Sequence, residues 1–284
     1  MSFHQKPNTF VSHVQLNVHD LAQMEIFYTK VLGLHILDKT ENQIALSADG
    51  KNAVLTLVEQ PDFVARPQKS AGMYHFALLL PNRSDLADFV THLQQVGYPF
   101  GASDHNVSEA LYLSDLEGNE IEIYIDRPAN TWTWQNEQVL MTIDPLNFQS
   151  LAGDLSVHGW QGMPQGTIMG HLHLYVSELG ATKQFYTEGL GMEIVCNYNG
   201  QALFLATGKY HHHIAINTWM GIGAPKAQEN QLGMAFYTLE YPDMTALELA
   251  IQRLEALGHS VQKNDAGVTV VDPSGMRAQL VLAK

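Results

Sequence analysis

This 284-residue chain repeats itself at one fixed spacing, and that constrains its fold more than any other feature. HVQLNVHDL (13–21) lines up with HLHLYVSEL (171–179), an offset of 158 residues. At the same offset FYTKVLGL (27–34) falls on FYTEGLGM (185–192), and Gly50-Lys51 falls on Gly208-Lys209, with no gap. A weaker repeat lies inside each half. HFALLLPNRSDLADFVTHLQQVGY (75–98) resembles FYTLEYPDMTALELAIQRLEALGH (236–259), and YLSDLEGNEIEIY (112–124) resembles TVVDPSGMRAQLV (269–281). The chain therefore holds four modules, beginning near residues 11, 73, 169 and 234.

Each module opens on an apolar-rich strand and continues into an amphipathic helix that ends at a glycine, as a C-terminal cap requires. Shorter strand-like runs follow, separated by turn signals such as ADG, LEGN and DPSG. The pattern is βαβββ four times over, an α+β chain. Two units are expected, 9–126 with modules one and two, and 168–284 with modules three and four. Residues 127–167, with Pro128, Trp132, Trp134, Pro145 and Pro164, lack that period and form the connection, where the tryptophans are expected to pack.

Fifteen Lys and Arg against 29 Asp and Glu give a formal net charge of −14. That balance argues against a nucleic-acid partner and against anionic membrane surfaces. One cysteine, Cys196, excludes an intramolecular disulfide and allows a reducing compartment. No signal segment or bilayer-length apolar run is apparent, so a cytoplasmic location is expected. Homo-oligomers remain compatible with all of this. The compositional oddity is 14 histidines, the commonest of metal-ligating side chains.

Placed on the modules, the opening strands carry His13, His75, His171 and Phe236. The closing strands carry Glu59, Glu122, Asn217 and Gln279, with the register in modules one and three open by a residue or two. A histidine recurring at equivalent strand positions, with a carboxylate available, suits a divalent metal; two His and one carboxylate with open positions indicate non-haem Fe(II) oxygen chemistry. KYHHHIAIN (209–217) adds three adjacent histidines. If they lay on a strand, successive side chains would point to opposite faces.

On FYTKVLGL, FYTEGLGM and, more specifically, DHNVSEALYLSDLEGNEIEIYIDRP, the chain resembles the vicinal oxygen chelate superfamily. That superfamily includes glyoxalase I, bleomycin-resistance proteins and extradiol dioxygenases; the likeness is greatest to two-domain catechol 2,3-dioxygenases. The resemblance implies paired modules forming two U-shaped, open barrel-like sheets with helices outside, one sheet cradling a metal. Its ligands would be Glu122, His75 and a His from the partner module: His171 if modules two and three pair, the runner-up His13 if one and two pair. The family also places a histidine before an H-x-(I/L)-A run. His212-His213-Ile214-Ala215 matches, while Val54-Leu55-Thr56-Leu57 has no histidine. This selects the 2+3 pairing with His212 beside the metal, and His211 and His213 facing away.

Tyr112, ten residues before Glu122, is implied as a donor to substrate, and His105 as a second active-site histidine. His173 shares the face of His171 and is expected mainly to pack. The function implied is extradiol cleavage of a catecholic aromatic with O2, using Fe(II), with Mn(II) suited to the same ligands. Two alternatives stand beside it: a glyoxalase-type isomerase or lyase, which adds a fourth Glu or Gln ligand, and a metal-free protein that sequesters small molecules.

Overall fold

A computed structural model describes residues 3–264 and 267–283. Module one comprises β1 (Phe10–Val18), α1 (Leu21–Ile26), β2 (His35–Lys39), β3 (Gln43–Ser47) and β4 (Ala53–Glu59). Module two follows with β5 (Gly72–Leu79), α2 (Arg83–Val96), β6 (Gly101–Asp104), β7 (Ser108–Ser114) and β8 (Glu120–Asp126). The connection carries a small hairpin, β9 (Trp134–Gln135) and β10 (Gln138–Val139), and the short α3 (Phe148–Ala152). Module three has β11 (Ile168–Tyr175), α4 (Gly180–Gln184), β12 (Glu193–Tyr198), β13 (Ala202–Ala206) and β14 (Ile214–Asn217). Module four has β15 (Gly233–Tyr241), α5 (Met244–Ala256), β16 (Val261–Asn264), β17 (Gly267–Val271) and β18 (Arg277–Leu282). The four opening strands begin within a residue of the starts expected from the repeat.

Local chemistry explains the helix boundaries. Asp20 and Asp243 accept backbone N–H groups at the starts of α1 and α5, and Asp85 Oδ2 accepts the Asn82 N–H at the start of α2. Gly97 ends α2 in the left-handed conformation, φ 68°, which glycine adopts without steric cost. The repeated FYT motif has its own local form. After α1 and again after α4 the helix widens, with Leu32 N–H donating to Phe27 O (3.1 Å) and Leu190 N–H to Phe185 O (2.9 Å), each across five residues.

Two eight-stranded sheets result, and each draws on both halves of the chain. One runs β16-β17-β18-β15-β1-β4-β3-β2, uniting modules four and one; the other runs β12-β13-β14-β11-β5-β8-β7-β6, uniting three and two. At each centre two opening strands pair antiparallel, β1 with β15 and β5 with β11. Every opening strand also pairs parallel with its own module's closing strand. The inward residues of these strands alternate with apolar ones in a single core. It includes Val14 and Leu16 of β1, Phe76 and Leu78 of β5, Leu172 and Leu174 of β11, and Leu86, Phe89 and Leu93 of α2. Among the described residues no helix is long and apolar enough to cross a membrane.

While the sheets join modules across the halves, the FYT tyrosines tie modules within each half. Tyr28 donates to Asp115 (2.8 Å) and Tyr186 to Asp272 (3.2 Å). Each aspartate sits in the turn before its module's closing strand and gathers that turn's N–H groups: Glu117 and Asn119 on Asp115, Ser274 and Met276 on Asp272. Burial pushes Asp272 up to about 6, against these donors. Removing the phenol leaves a buried acceptor with one partner fewer. Tyr186→Phe is therefore expected to lower the unfolding free energy by about 1–3 kcal/mol, measured by urea denaturation; an unchanged midpoint would show that the bond contributes nothing.

Candidate metal centre and its cavity

The β5–β11 seam builds the centre. His75 on β5 lies directly opposite His173 on β11, and His171 lies opposite Ala77. Ala77 in turn pairs with Glu122 on β8, so one short patch of sheet carries two histidines and a carboxylate on one face. The Nε2 atoms of His75 and His171 each lie 3.1 Å from Glu122 Oε2. All three side chains are buried, and their donor atoms fall within 4.8 Å of one another.

Both ring nitrogens of His75 and Nδ1 of His171 lack a hydrogen-bond partner among the described residues. Buried polar atoms are rarely left so, and a metal ion would satisfy the two Nε2 atoms together. With each Nε2 3.1 Å from the same carboxylate oxygen, the three donors stand close enough together to share one ion. Burial pulls His171 down to about 4, against the attraction of Glu122. Burial would by itself raise the Glu122 carboxyl, but the imidazoles, His171 foremost, outweigh it and hold the group well below the usual range. Neutral imidazole and anionic carboxylate are the ligating forms. The residues fit a divalent transition metal.

His75 and Glu122 of the triad line a cavity of about 260 Å³ whose wall also includes Tyr74, His105, Tyr112, His173, His212 and Trp219. Here the structure departs from the expectation for the three histidines. β14 starts only at Ile214, so His211, His212 and His213 lie in the loop before it, and strand alternation does not apply. All three are buried. His212 stacks on His171, with ring centroids 4.0 Å apart. His211 does not face away: its Nε2 lies 2.7 Å from Asp126 Oδ1 and its Nδ1 lies 2.8 Å from His212 Nδ1.

That chain of bonds assigns the protons. The Asp126 carboxylate accepts from His211 Nε2–H, and in that tautomer His211 accepts at Nδ1 from His212 Nδ1–H. The free lone pair of His212 is left at Nε2, on the far side of its ring. Burial, followed by the neighbouring imidazoles, pushes the His212 pKa well down and keeps it neutral. His213, by contrast, packs on the N-terminal segment, with its Nε2 3.2 Å from Phe3 O.

On the opposite wall His105 Nδ1 lies 2.7 Å from Thr142 O, and its Nε2 lies 2.6 Å from Tyr112 Oη. His105 donates from Nδ1 to that carbonyl, which leaves its Nε2 to accept from Tyr112 Oη–H. Burial, and then Glu122, raises the Tyr112 phenol well above its ordinary value. His173 also reaches the cavity. Asn217 Oδ1 accepts Trp219 N–H (2.9 Å), which turns its amide nitrogen to donate to His173 Nε2 at 2.8 Å.

The runner-up ligand, His13, lies in the other sheet, where its Nε2 meets Thr56 Oγ1 at 2.8 Å and its ring faces Phe236. Strand register also revises the closing-strand positions. By pairing, the places equivalent to Glu122 are Thr56, Ala215 and Gln279; Glu59 and Asn217 lie further along their strands. Met141, Thr142 and Ile143 of the connection, and Phe204 of β13, line the cavity without any sequence signal that marks them. Trp132 packs 5.2 Å from the His211 ring, as a buried wall behind the relay.

The family model described as the glyoxalase/bleomycin resistance protein/dioxygenase superfamily matches residues 11–123 and 168–280. This chain belongs to that superfamily. A catechol-2,3-dioxygenase of Bacillus subtilis (strain 168) is 40% identical over 269 residues, 94% of either chain. Biphenyl-2,3-diol 1,2-dioxygenase 3 of Rhodococcus globerulus is 29% identical over 122 residues, 42% of this chain and 64% of that protein. Among solved structures, a putative dioxygenase from Bacillus subtilis superposes with a TM-score of 0.67 at 14% identity, covering 97% of this chain and 86% of the other. Glyoxalase I from Zea mays gives 0.60 at 15% identity, covering 96% and 92%. These two likenesses establish the fold.

If the triad holds the metal, Glu122→Ala should weaken iron retention by more than about a hundredfold, whereas His13→Ala should retain it at the wild-type stoichiometry. Metal content of the desalted proteins, by plasma mass spectrometry, separates the outcomes. Loss in the His13 variant alone would overturn the assignment.

Proposed function

We propose that the chain is a metal-dependent extradiol dioxygenase that opens a catecholic ring beside its two hydroxyls, using O2. The observation that carries this is the buried His75–His171–Glu122 set, of which His75 and Glu122 open into a cavity that also presents the neutral base His212. The 40% identity to a catechol-2,3-dioxygenase over 94% of the chain supports it independently. His75, His171 and Glu122 would hold Fe(II), or Mn(II), which suits the same donors. When bound, that ion supplies Lewis-acid activation of the catechol hydroxyls and the redox partner for dioxygen.

The protein's own groups divide the remaining work. His212 takes a hydroxyl proton at Nε2. The charge it gains is relieved through Nδ1, since His211 accepts that proton while Asp126 holds the far end of the His211 ring. Tyr112, its own proton committed to His105, offers oxygen lone pairs to a substrate hydroxyl and so orients the ring. Aromatic side chains of the wall, with the half-buried Phe204 and the Trp219 at its rim among them, limit the water that reaches the reacting ring. A dry engineered cavity of about 150 Å³ accommodates benzene, so about 260 Å³ suits a one-ring catechol with a small substituent.

A glyoxalase-type reaction would call for a fourth ligand from the partner module's closing strand. Ala215 stands at that place and offers none. A sequestering role leaves the convergence of His75 Nε2 and His171 Nε2 on one Glu122 oxygen without purpose.

Oxygen uptake by anaerobically Fe(II)-reconstituted protein on adding catechol tests the assignment, with Mn(II) in parallel. Uptake with a yellow ring-opened semialdehyde is expected. No uptake with catechol or its alkyl derivatives, despite bound metal, would overturn it. His212→Phe should lower kcat by about a hundredfold or more. Asp126→Asn, which removes the negative charge that holds the far end of the His211 ring, should lower it by about tenfold with little change in KM. Equal kcat in Asp126→Asn and wild type would exclude the relay.

A further inference from the structure

A second cavity, of about 710 Å³, opens between the two sheets. β1 supplies Gln15 and Asn17 and β15 supplies Phe236 from one sheet, while Tyr74 of β5 and Tyr175 of β11 come from the other. Arg66, in the segment between β4 and β5, enters from the side.

The Arg66 side chain is built into place. It crosses Gly72 so closely that a Cβ there would lie 2.7 Å from Arg66 Cδ. Its Nη1 donates to Ser70 O at 3.1 Å, and its guanidinium lies 5.7 Å over the Tyr175 ring. Of the four other arginines, Arg83, Arg127 and Arg277 each hold a carboxylate, and Arg253, which lines neither cavity, donates to Gly189 O. Among the described residues no carboxylate lies within ion-pair distance of Arg66. In a chain with 29 acidic residues against 15 basic ones, a partly buried guanidinium without a counter-ion is a charge awaiting one.

The carboxylates around this cavity are already engaged. Glu117 accepts the N–H groups of His19 and Asp20, Glu120 accepts Ser114 Oγ–H at 2.6 Å, and Glu229 pairs with Arg277. One free guanidinium suits one negative charge, because a dianion would bring its second charge toward Glu117 and Glu120. The apolar part of the wall is aromatic and thioether, with Phe63, Phe236, Met220 and Met234, surfaces that take a flat ring.

We propose that this cavity is a second ligand site, for a small aromatic monocarboxylate whose carboxylate pairs with Arg66 and whose ring lies against Phe236 and its neighbours. The site does not depend on the dioxygenase assignment. None of its groups belongs to the triad, although Tyr74 lines both cavities.

Isothermal titration of the purified protein with benzoate, and with benzamide as its neutral counterpart, tests the proposal. One benzoate per chain is expected, bound at least about tenfold more tightly than benzamide, since a charge-assisted pair is lost in the amide. EDTA-treated protein should bind benzoate equally well, and Arg66→Gln should bind it at least about tenfold more weakly. The benzoate–benzamide contrast in wild type needs no variant to fold. Equal affinity for the two probes, no benzoate binding, unchanged affinity in Arg66→Gln, or binding lost only on EDTA treatment would each overturn the proposal.

Discussion

Everything at the candidate centre depends on one antiparallel seam, the pairing of β5 with β11. Backbone hydrogen bonding between these strands sets His75 against His173 and brings His171 beside it. The parallel partner of β5 then adds Glu122 from β8. Three ligands from three strands thus meet without any long flexible side chain or loop among them. Their precision is that of sheet register, and a slip of one residue on either strand would turn its histidine to the apolar core.

Much of this was legible in the chain because a duplication compares the molecule with itself. The repeat located the four opening strands, and an H-x-I-A run favoured the pairing of modules two and three that the sheets display. What escaped had physical reasons. Loops of different length precede the closing strands, so Glu59 and Asn217 stood for positions that hydrogen-bond register gives to Thr56 and Ala215. Three adjacent histidines looked like strand residues, whereas Gly208 and Lys209, both at positive φ, turn the chain so that β14 starts only after them. That turn lets His211 reach back to Asp126. Met141 to Ile143 and Arg66 arrive from segments without periodicity, where only coordinates show what a side chain meets.

The two sheets also show how a duplicated frame diverges. At the level of the triad, the sheet of modules one and four keeps His13 but sets Thr56, Phe236 and Gln279 around it. Thr56 satisfies the histidine with an ordinary hydrogen bond, so burial costs little and no carboxylate is left to bind an ion. The same scaffold therefore carries a charged, ligand-poised floor in one sheet and a neutral one in the other.

The crossed pairing has a consequence for synthesis on the ribosome. When residue 126 has been made, β1 and β5 both exist without the strands that complete their sheets, and His75 and Glu122 are present without His171. The sheet that holds the metal centre closes only when β11 to β14, residues 168 to 217, have emerged, and the other waits for β15, which follows residue 232. The ligand set is thus completed across the halves, by the third module docking on the second, and before the fourth module is made. Quality control is built into topology: a chain cut off within its first half has two open sheets and an incomplete metal centre together.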